Sequence, residues 1–467
     1  MKKRLKLLLV KCLDTGRRDI YAFRQIPLAL AYLVPVAREF CDVDVHDMLV
    51  DDHLIERVAA NPPDIIGFSI FSADYLAVQA IILQIKRAAP ESLLIAGGAH
   101  ATVEPVEVLR LGIDVVVRGE GELPFRELLR QIASGTKDFT DIPGISYFDE
   151  LTPSGVMHNP VQQIQNLDDV SLPEIEAFEF TKYTQYPLLT SRGCPFSCKF
   201  CASKTIWGKC IRFHSADRVF KEIDRAVNQF GYKRLVFVDD TFTLNHKRLK
   251  QLCAMISDAD LGIRWSVNSR VDSITDETAF FMARAGCDVV SFGIETGSPE
   301  IQQAINKHTT LRQMQRAVEA CRNHGIRVKT GWMIGLPGSY EEQMKSLDVM
   351  LALQPDEITI HHFIPMPGTP YWNHPEQYGI SFDKDRLLAS FSLDALPRQI
   401  GLKFQYLSHE DIEWIIDTFI IRLQEAGYKR PGELSTYDKT SKVVNTYKDR
   451  GRLPVLPEDV QINPRED

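Results

Sequence analysis

The stretch Ser191-Arg192-Gly193-Cys194-Pro195-Phe196-Ser197-Cys198-Lys199-Phe200-Cys201 sets three cysteines at C-x3-C-x2-C spacing on one short loop. Three thiolates this close in sequence can converge on one metal centre. As soft ligands they select zinc, copper(I) or an iron-sulfur cluster. A structural zinc site takes four ligands, and Cys210 or His214 could supply the fourth. A four-iron cubane held by three cysteines keeps one iron free of protein ligands, open to a substrate or cofactor. What surrounds the loop decides which reading holds.

Around the loop the chain repeats a strand-helix unit. Apolar runs at 188–190, 234–238, 264–267, 289–294, 328–334 and 357–363 read as strands separated by amphipathic segments. Ser215 caps a helix with Val219, Phe220, Ile223, Val227 and Phe230 on one face, and Ser339 with Glu342 forms a capping box. The spacing predicts a partial (β/α)6 barrel over 184–375, whose active site lies on the loops that follow the strands.

Residues 1–135 show a second βα series, with strands at 5–10, 43–47, 65–69, 93–96 and 115–117. That alternation predicts an α/β, doubly wound, Rossmann-like parallel sheet, with ligands at the carboxyl ends of its strands. Those ends are rich in small residues: Ser69 and Ser72, then Gly97-Gly98-Ala99-His100-Ala101-Thr102, then Gly119-Glu120-Gly121-Glu122. In 136–183, Pro143, Gly144, Pro153, Gly155, Pro160 and Pro173 interrupt the periodicity, which reads as linker or strap. Residues 376–467 read as a small helical cap with one amphipathic helix near 409–426 and a polar tail.

Composition bounds the function classes. The 467 residues exceed one ordinary domain, with 44% apolar and 25% charged residues as in globular proteins. A formal charge of −8 disfavours a general nucleic-acid or anionic-membrane binder. The start MKKRLKLLLV reads as a first strand with basic flanks rather than a signal peptide, and no run is long enough for an integral membrane span. Nine cysteines, an odd number unevenly spread, argue against a disulfide framework and for metal or redox chemistry in the reducing cytoplasm.

With the cysteine loop directly after a barrel strand and an aromatic inside Cys198-Lys199-Phe200-Cys201, the sequence resembles the radical S-adenosylmethionine (SAM) superfamily. The resemblance implies that Cys194, Cys198 and Cys201 hold a [4Fe-4S] cluster whose open iron chelates SAM. An electron from a donor such as flavodoxin or ferredoxin then releases a 5′-deoxyadenosyl radical. It implies SAM contacts from Phe200, from Asn268 and Arg270 at the end of the third strand, and from Glu295 in Gly293-Ile294-Glu295-Thr296-Gly297-Ser298. Ile334 and Gly335, in Trp332-Met333-Ile334-Gly335-Leu336-Pro337-Gly338, fall in the motif beside the adenine. Asp239 and Asp240 stand where the family usually has Gly-Gly-Glu, a departure from the pattern. For each polar residue the alternative is a helix cap or a rim salt bridge.

The first domain resembles the cobalamin-binding domain that precedes the barrel in one large radical SAM subfamily, through residues 27–33, 64–69, 97–102 and 118–122. The resemblance implies a corrinoid against Ser69, Ser72, Gly97, Gly98, His100, Gly119, Glu120 and Gly121. The Asp-x-His-x-x-Gly element is absent from Lys11-Cys12-Leu13-Asp14-Thr15-Gly16, and Asp51-Asp52-His53 lacks its spacing, so no protein histidine is expected on cobalt. A relic domain without cofactor is the alternative. The implied reaction is methylation of an unactivated carbon or phosphorus in a small molecule. Radical rearrangement, cyclisation or dehydration is the runner-up, and a zinc-stabilised binding module the outside alternative. Of His361 and His362 at the sixth strand, at most one can enter the substrate pocket, because neighbours in a strand face opposite ways.

Overall fold

Strand β1, Leu5–Lys11, is the axis of the first sheet, and its Leu7–Val10 core is buried on both faces, as a central parallel strand requires. The computed structural model describes residues 4–12, 25–136, 138–392, 401–429 and 443–448. With β2 (Cys41–Asp47), β3 (Ile65–Ser69), β4 (Leu93–Gly97) and β5 (Val115–Val117), β1 forms a parallel sheet in the order β2-β1-β3-β4-β5. Helices such as Leu28–Ala37, Tyr75–Ala88 and Glu122–Ser134 connect the strands. The strand order reverses between β1 and β3, the switch point at which doubly wound sheets open a crevice.

The region expected as linker departs from its reading. Strands β6 (Ile145–Phe148) and β7 (Val156–His158) extend the first sheet antiparallel beyond β5. At four and three residues they are too short for a periodicity to show, and Ser146 shares a hydrogen bond of 2.8 Å with His158 across the pair.

The second sheet holds six parallel strands: β8 (Tyr186–Leu188), β11 (Arg234–Phe237), β12 (Arg264–Ser269), β13 (Cys287–Glu295), β14 (Arg327–Ile334) and β15 (Glu357–His362). Between the first two of these, β9 (Ser191–Arg192) and β10 (Arg212–Phe213) pair antiparallel and bracket the cysteine loop. The strands form an open, partial barrel with helices outside. The Ser215 cap and the Ser339–Glu342 capping box are both present. Short strands β16 (Ile380–Ser381) and β17 (Lys403–Phe404) pair beyond it.

The C-terminal region, expected as a small helical cap, also carries strands. After the helix His409–Glu425, β18 (Tyr428–Lys429) and β19 (Val443–Lys448) return to the barrel, and β19 pairs antiparallel with β15. The exposed edge of a parallel sheet is thereby covered. The stretch with Asp14, Thr15 and Gly16, and the polar tail, lie outside the described residues. No described helix is long and apolar enough to cross a membrane.

Candidate active site

The cysteine loop springs from a rigid base. Asp239, fully buried after β11, accepts hydrogen bonds from Thr190 N (3.2 Å), Thr190 Oγ1 (2.9 Å) and Ser191 Oγ, while Arg248 donates to the Thr190 carbonyl at 2.9 Å. Gly193 then turns the chain at φ +95°, with the Cys210 carbonyl only 2.6 Å from where a Cβ would stand. No other residue fits there.

Cys194, Cys198 and Cys201 open into one cavity of about 640 Å³ inside the mouth of the barrel. Burial raises all three thiols, Cys201 to about 11; for Cys198, Lys307 and Arg270 act in the opposite direction. Metal binding must therefore displace protons from them. Two cations stand ready for the negative charge. Arg270 donates to Cys198 Sγ at 3.7 Å, stacks 3.6 Å over the Phe196 ring and is gripped by both oxygens of Asp272. Lys307 lies 2.7 Å from a Glu295 oxygen and 5.6 Å over the Phe200 ring. Glu295 is held at φ +71°, a conformation that costs a non-glycine residue about 1–3 kcal/mol and aims its carboxylate into the cavity.

Phe200, Asp239, Asp240, Asn268, Arg270 and Glu295 all line this cavity. Asp239 does so with both oxygens already engaged, and Asp240 is tied to Ser203 Oγ. Ile334 and Gly335 do not line it, contrary to expectation. Ile334 shares strand parity with Val328 and Trp332, which pack outward against the helices, whereas Lys329 and Gly331 face the lumen. Gly335 lies beneath the C-terminal region, its carbonyl accepting from Tyr406 Oη at 3.0 Å. The same parity sends His361 into the cavity and leaves His362 outside its lining. The sequence reading missed Lys307 and Lys329. Lys329 follows from parity, but Lys307 sits between two residues of positive φ, Asn306 and His308, that no periodic pattern announces.

The residues suit a cluster better than a single ion. Among the described residues, the only three His, Cys, Asp or Glu ligand atoms all within 4.8 Å of one another belong to half-buried Asp51 and exposed Asp52 and His53. The three loop sulfurs are spread wider, whereas the thiolates of one tetrahedral zinc stand about 3.8 Å apart. His214 bonds Asp168 at 3.3 Å, and neither it nor Cys210 lines the cavity.

A second cavity, about 390 Å³, opens at the switch point of the first sheet. Leu9, Phe68, Ile95, Val117, Leu30 and Leu33 make it apolar, and Ser69, Gly97, Gly98, Gly119, Glu120 and Gly121 form its rim. At Gly97 the nearest atom to an added Cβ is the Val117 carbonyl at 3.4 Å, so the bare backbone is a cradle that a side chain would fill. This shape and apolarity suit a corrinoid. Ser72 and His100 lie outside the lining, because Ser72 Oγ turns to His100 Nδ1 at 3.1 Å and the imidazole is buried against Tyr75.

On the barrel side the second cavity is closed by Arg192, two residues before Cys194. Its guanidinium meets Glu120 at 2.8 Å and Glu122 at 2.5 Å, and Arg212 meets Glu120 at 2.6 Å. These buried charges join the two domains. The cavities share one lining residue among those described, Val238, directly after β11.

Comparison with known proteins agrees with this architecture. Residues 188–350 match the radical SAM superfamily and residues 21–129 the B12 binding domain. An uncharacterised methyltransferase of Pyrococcus horikoshii is 34% identical over 368 residues, 74% of this chain and 78% of that protein. The anaerobic magnesium-protoporphyrin IX monomethyl ester cyclase of Rubrivivax gelatinosus is 29% identical, over 66% of this chain and 57% of that protein. The structure of the radical SAM methyltransferase TsrM from Kitasatospora setae, with cobalamin and a [4Fe-4S] cluster bound, shares the fold. It superposes with a TM-score of 0.69 at 19% identity, over 97% of this chain and 87% of that one. A B12 domain wound onto a radical SAM barrel fixes the cofactors as a [4Fe-4S] cluster, SAM and cobalamin, and places this chain among the cobalamin-binding radical SAM enzymes.

Proposed function

We propose that this enzyme methylates an unactivated carbon or phosphorus of a small-molecule biosynthetic intermediate. The observation that carries the reading is the juxtaposition of two cavities, one ringed by cluster cysteines and one by the corrinoid cradle, with a single valine in common. When bound, the cluster with SAM supplies a hydrogen-abstracting radical and the corrinoid supplies the methyl group.

The chain's own residues do the positioning. Cys194, Cys198 and Cys201 hold the cluster, while Arg270 and Lys307 offset its negative charge. Glu295, kept in place by Lys307, and Phe200 and Asn268 orient SAM. Gly97, Gly98, Gly119 and Gly121 let the corrinoid approach the backbone. Asp239 and Asp240 fix the cysteine loop to the barrel instead of reaching for SAM. Ser291, Lys329, Thr359 and His361 line the rest of the lumen, where a polar substrate fits. A reducing, cytoplasmic setting and a flavodoxin or ferredoxin donor accord with a cluster that must be reduced.

The test is anaerobic incubation of reconstituted enzyme with SAM and candidate metabolites, reading 5′-deoxyadenosine and the product mass. A gain of one methyl is expected. The likeness to the Rubrivivax cyclase supports a second reading, radical cyclisation. 5′-Deoxyadenosine formed with a substrate that changes without gaining carbon would replace the first reading by the second.

A further inference from the structure

Val238 directly follows β11 and precedes the two aspartates that anchor the cysteine loop. Its amide donates to the Leu188 carbonyl at 2.8 Å, Asp239 holds Thr190 and Ser191, and Asp240 holds Ser203. The backbone at 238 is therefore fixed from both sides. The neighbouring wall is equally immobile, since Arg192 is locked between Glu120 and Glu122 and lies 5.7 Å from the Trp207 ring. Val238 is the one residue among those described that lines both cavities.

We propose that Val238 is the aperture between the corrinoid and SAM cavities, and that its side-chain volume sets the rate at which a methyl group crosses. Val238 and the adjoining Leu189 present only hydrocarbon, so the passage offers no ligand to a charged or hydrogen-bonding group. That surface fits a methyl group, which needs no polar contact. In a close-packed wall even one methylene is felt. This inference rests on the methylation reading but is tested apart from it.

The probe is SAM itself. In holoenzyme reduced with titanium(III) citrate, the methyl group leaves the SAM sulfur, which keeps the bonding electron pair. Cobalt(I) supplies the pair for the new cobalt–carbon bond and becomes formally cobalt(III). Transfer of methyl label from SAM to the bound corrinoid is timed for Val238→Ala, wild type, Val238→Ile and Val238→Phe, with cobalt and SAM bound per chain measured on each. A second readout needs no turnover: the change in the visible spectrum of bound hydroxocobalamin when SAM is added. Label transfer is expected to fall in the order Ala, Val, Ile, Phe, with at least a tenfold loss at Phe, and the SAM-induced spectral change is expected to vanish there. Should the Phe variant lose its corrinoid, the Ala and Ile variants carry the comparison. Rates that do not follow side-chain volume in variants retaining both cofactors overturn the aperture. If label passes in this graded way but no substrate gains a methyl, the aperture stands and the methylation reading falls.

Discussion

Around Leu9 and Gly97 the first sheet lines its cavity with hydrocarbon and bare backbone, whereas the barrel lines its own with the charged side chains of Arg270, Lys307 and Glu295. A large, rigid corrinoid can be held by shape and area, at roughly 25 cal/mol per Å² of apolar surface covered. A cluster and a sulfonium carry charge, and charge must be met by placed charges. Where the corrinoid cavity does contain ions, in Glu120, Glu122 and Arg192, they pair with one another and with Arg212. They serve the joint between domains. The two sites should therefore fail separately, and the largest effects come from breaking either the charge-built site or the joint.

Replacing Cys194, Cys198 and Cys201 together with alanine should reduce iron and sulfide to background and abolish 5′-deoxyadenosine formation. Cobalamin uptake, read by absorbance after gel filtration, should persist. Loss of both cofactors from a folded triple variant would mean that the two sites are one unit and would break the contrast drawn above.

Arg192→Met tests the joint. Removing one partner from a buried ion network strands the rest, at a cost of about 3–5 kcal/mol, whereas removing all partners together can be neutral. Arg192→Met should thus unfold at lower urea than wild type. Adding Glu122→Gln should recover part of the loss despite deleting another charge, because Glu122 pairs with Arg192 alone while Glu120 keeps Arg212. If the combined variant is less stable than Arg192→Met, the network acts through some other contact.

These residues also mark how far sequence carries. The cysteine loop is legible because eleven consecutive residues contain the whole constellation. The six barrel strands are legible as apolar runs, and along β14, where burial alternates, parity could have removed Ile334 and revealed Lys329 in advance. The joint is not legible: Arg192 and Glu120 are 72 residues apart, and only the docking of two sheets makes them partners. Strands β6, β7 and β19 escaped because short or edge pairing is decided by the neighbouring strand rather than by local pattern.

Acid should strain both domains by a similar device. His100 in the first domain and His214 beside the barrel are each depressed by burial from 6.5 to about 4. Above pH 6.5 both are neutral, folded or unfolded. Between about 6.5 and 4 the unfolded chain binds protons that the folded chain refuses, so stability falls as pH falls, by up to about 3 kcal/mol for each histidine. His100→Asn and His214→Asn should each flatten that limb of a urea-midpoint profile. An unchanged slope in either variant would remove that histidine from the account.

In the corrinoid cradle, Gly97 and Gly98 are neighbours with opposite tolerances. At Gly98, φ is +97° and an added Cβ would stand 2.8 Å from the Ile70 carbonyl, so any side chain strains the loop itself. Gly97 has ordinary space toward Val117. Gly97→Leu should therefore keep the fold and lower cobalamin affinity at least tenfold, leaving iron content and SAM binding in place. Undiminished cobalamin uptake by Gly97→Leu would move the corrinoid away from this strand end.

The smallest effect expected is at Glu295, where binding and backbone strain can be separated. Glu295→Gln keeps a side chain that can still accept from Lys307 but removes the negative charge facing SAM. SAM affinity should fall about tenfold, equivalent to about 1.4 kcal/mol, with the cluster retained. Glu295→Gly should weaken SAM binding further, because it also strands the buried Lys307 ammonium. It also releases the φ +71° strain, which offsets part of that loss in the stability of the folded chain. The Gly variant is thus expected to bind SAM worse than the Gln variant while unfolding at a similar or lower urea concentration. Equal SAM affinity in wild type and both variants, by equilibrium dialysis of cluster-loaded enzyme, would show that the carboxylate serves Lys307 alone and that the strained strand end was not built for the cofactor.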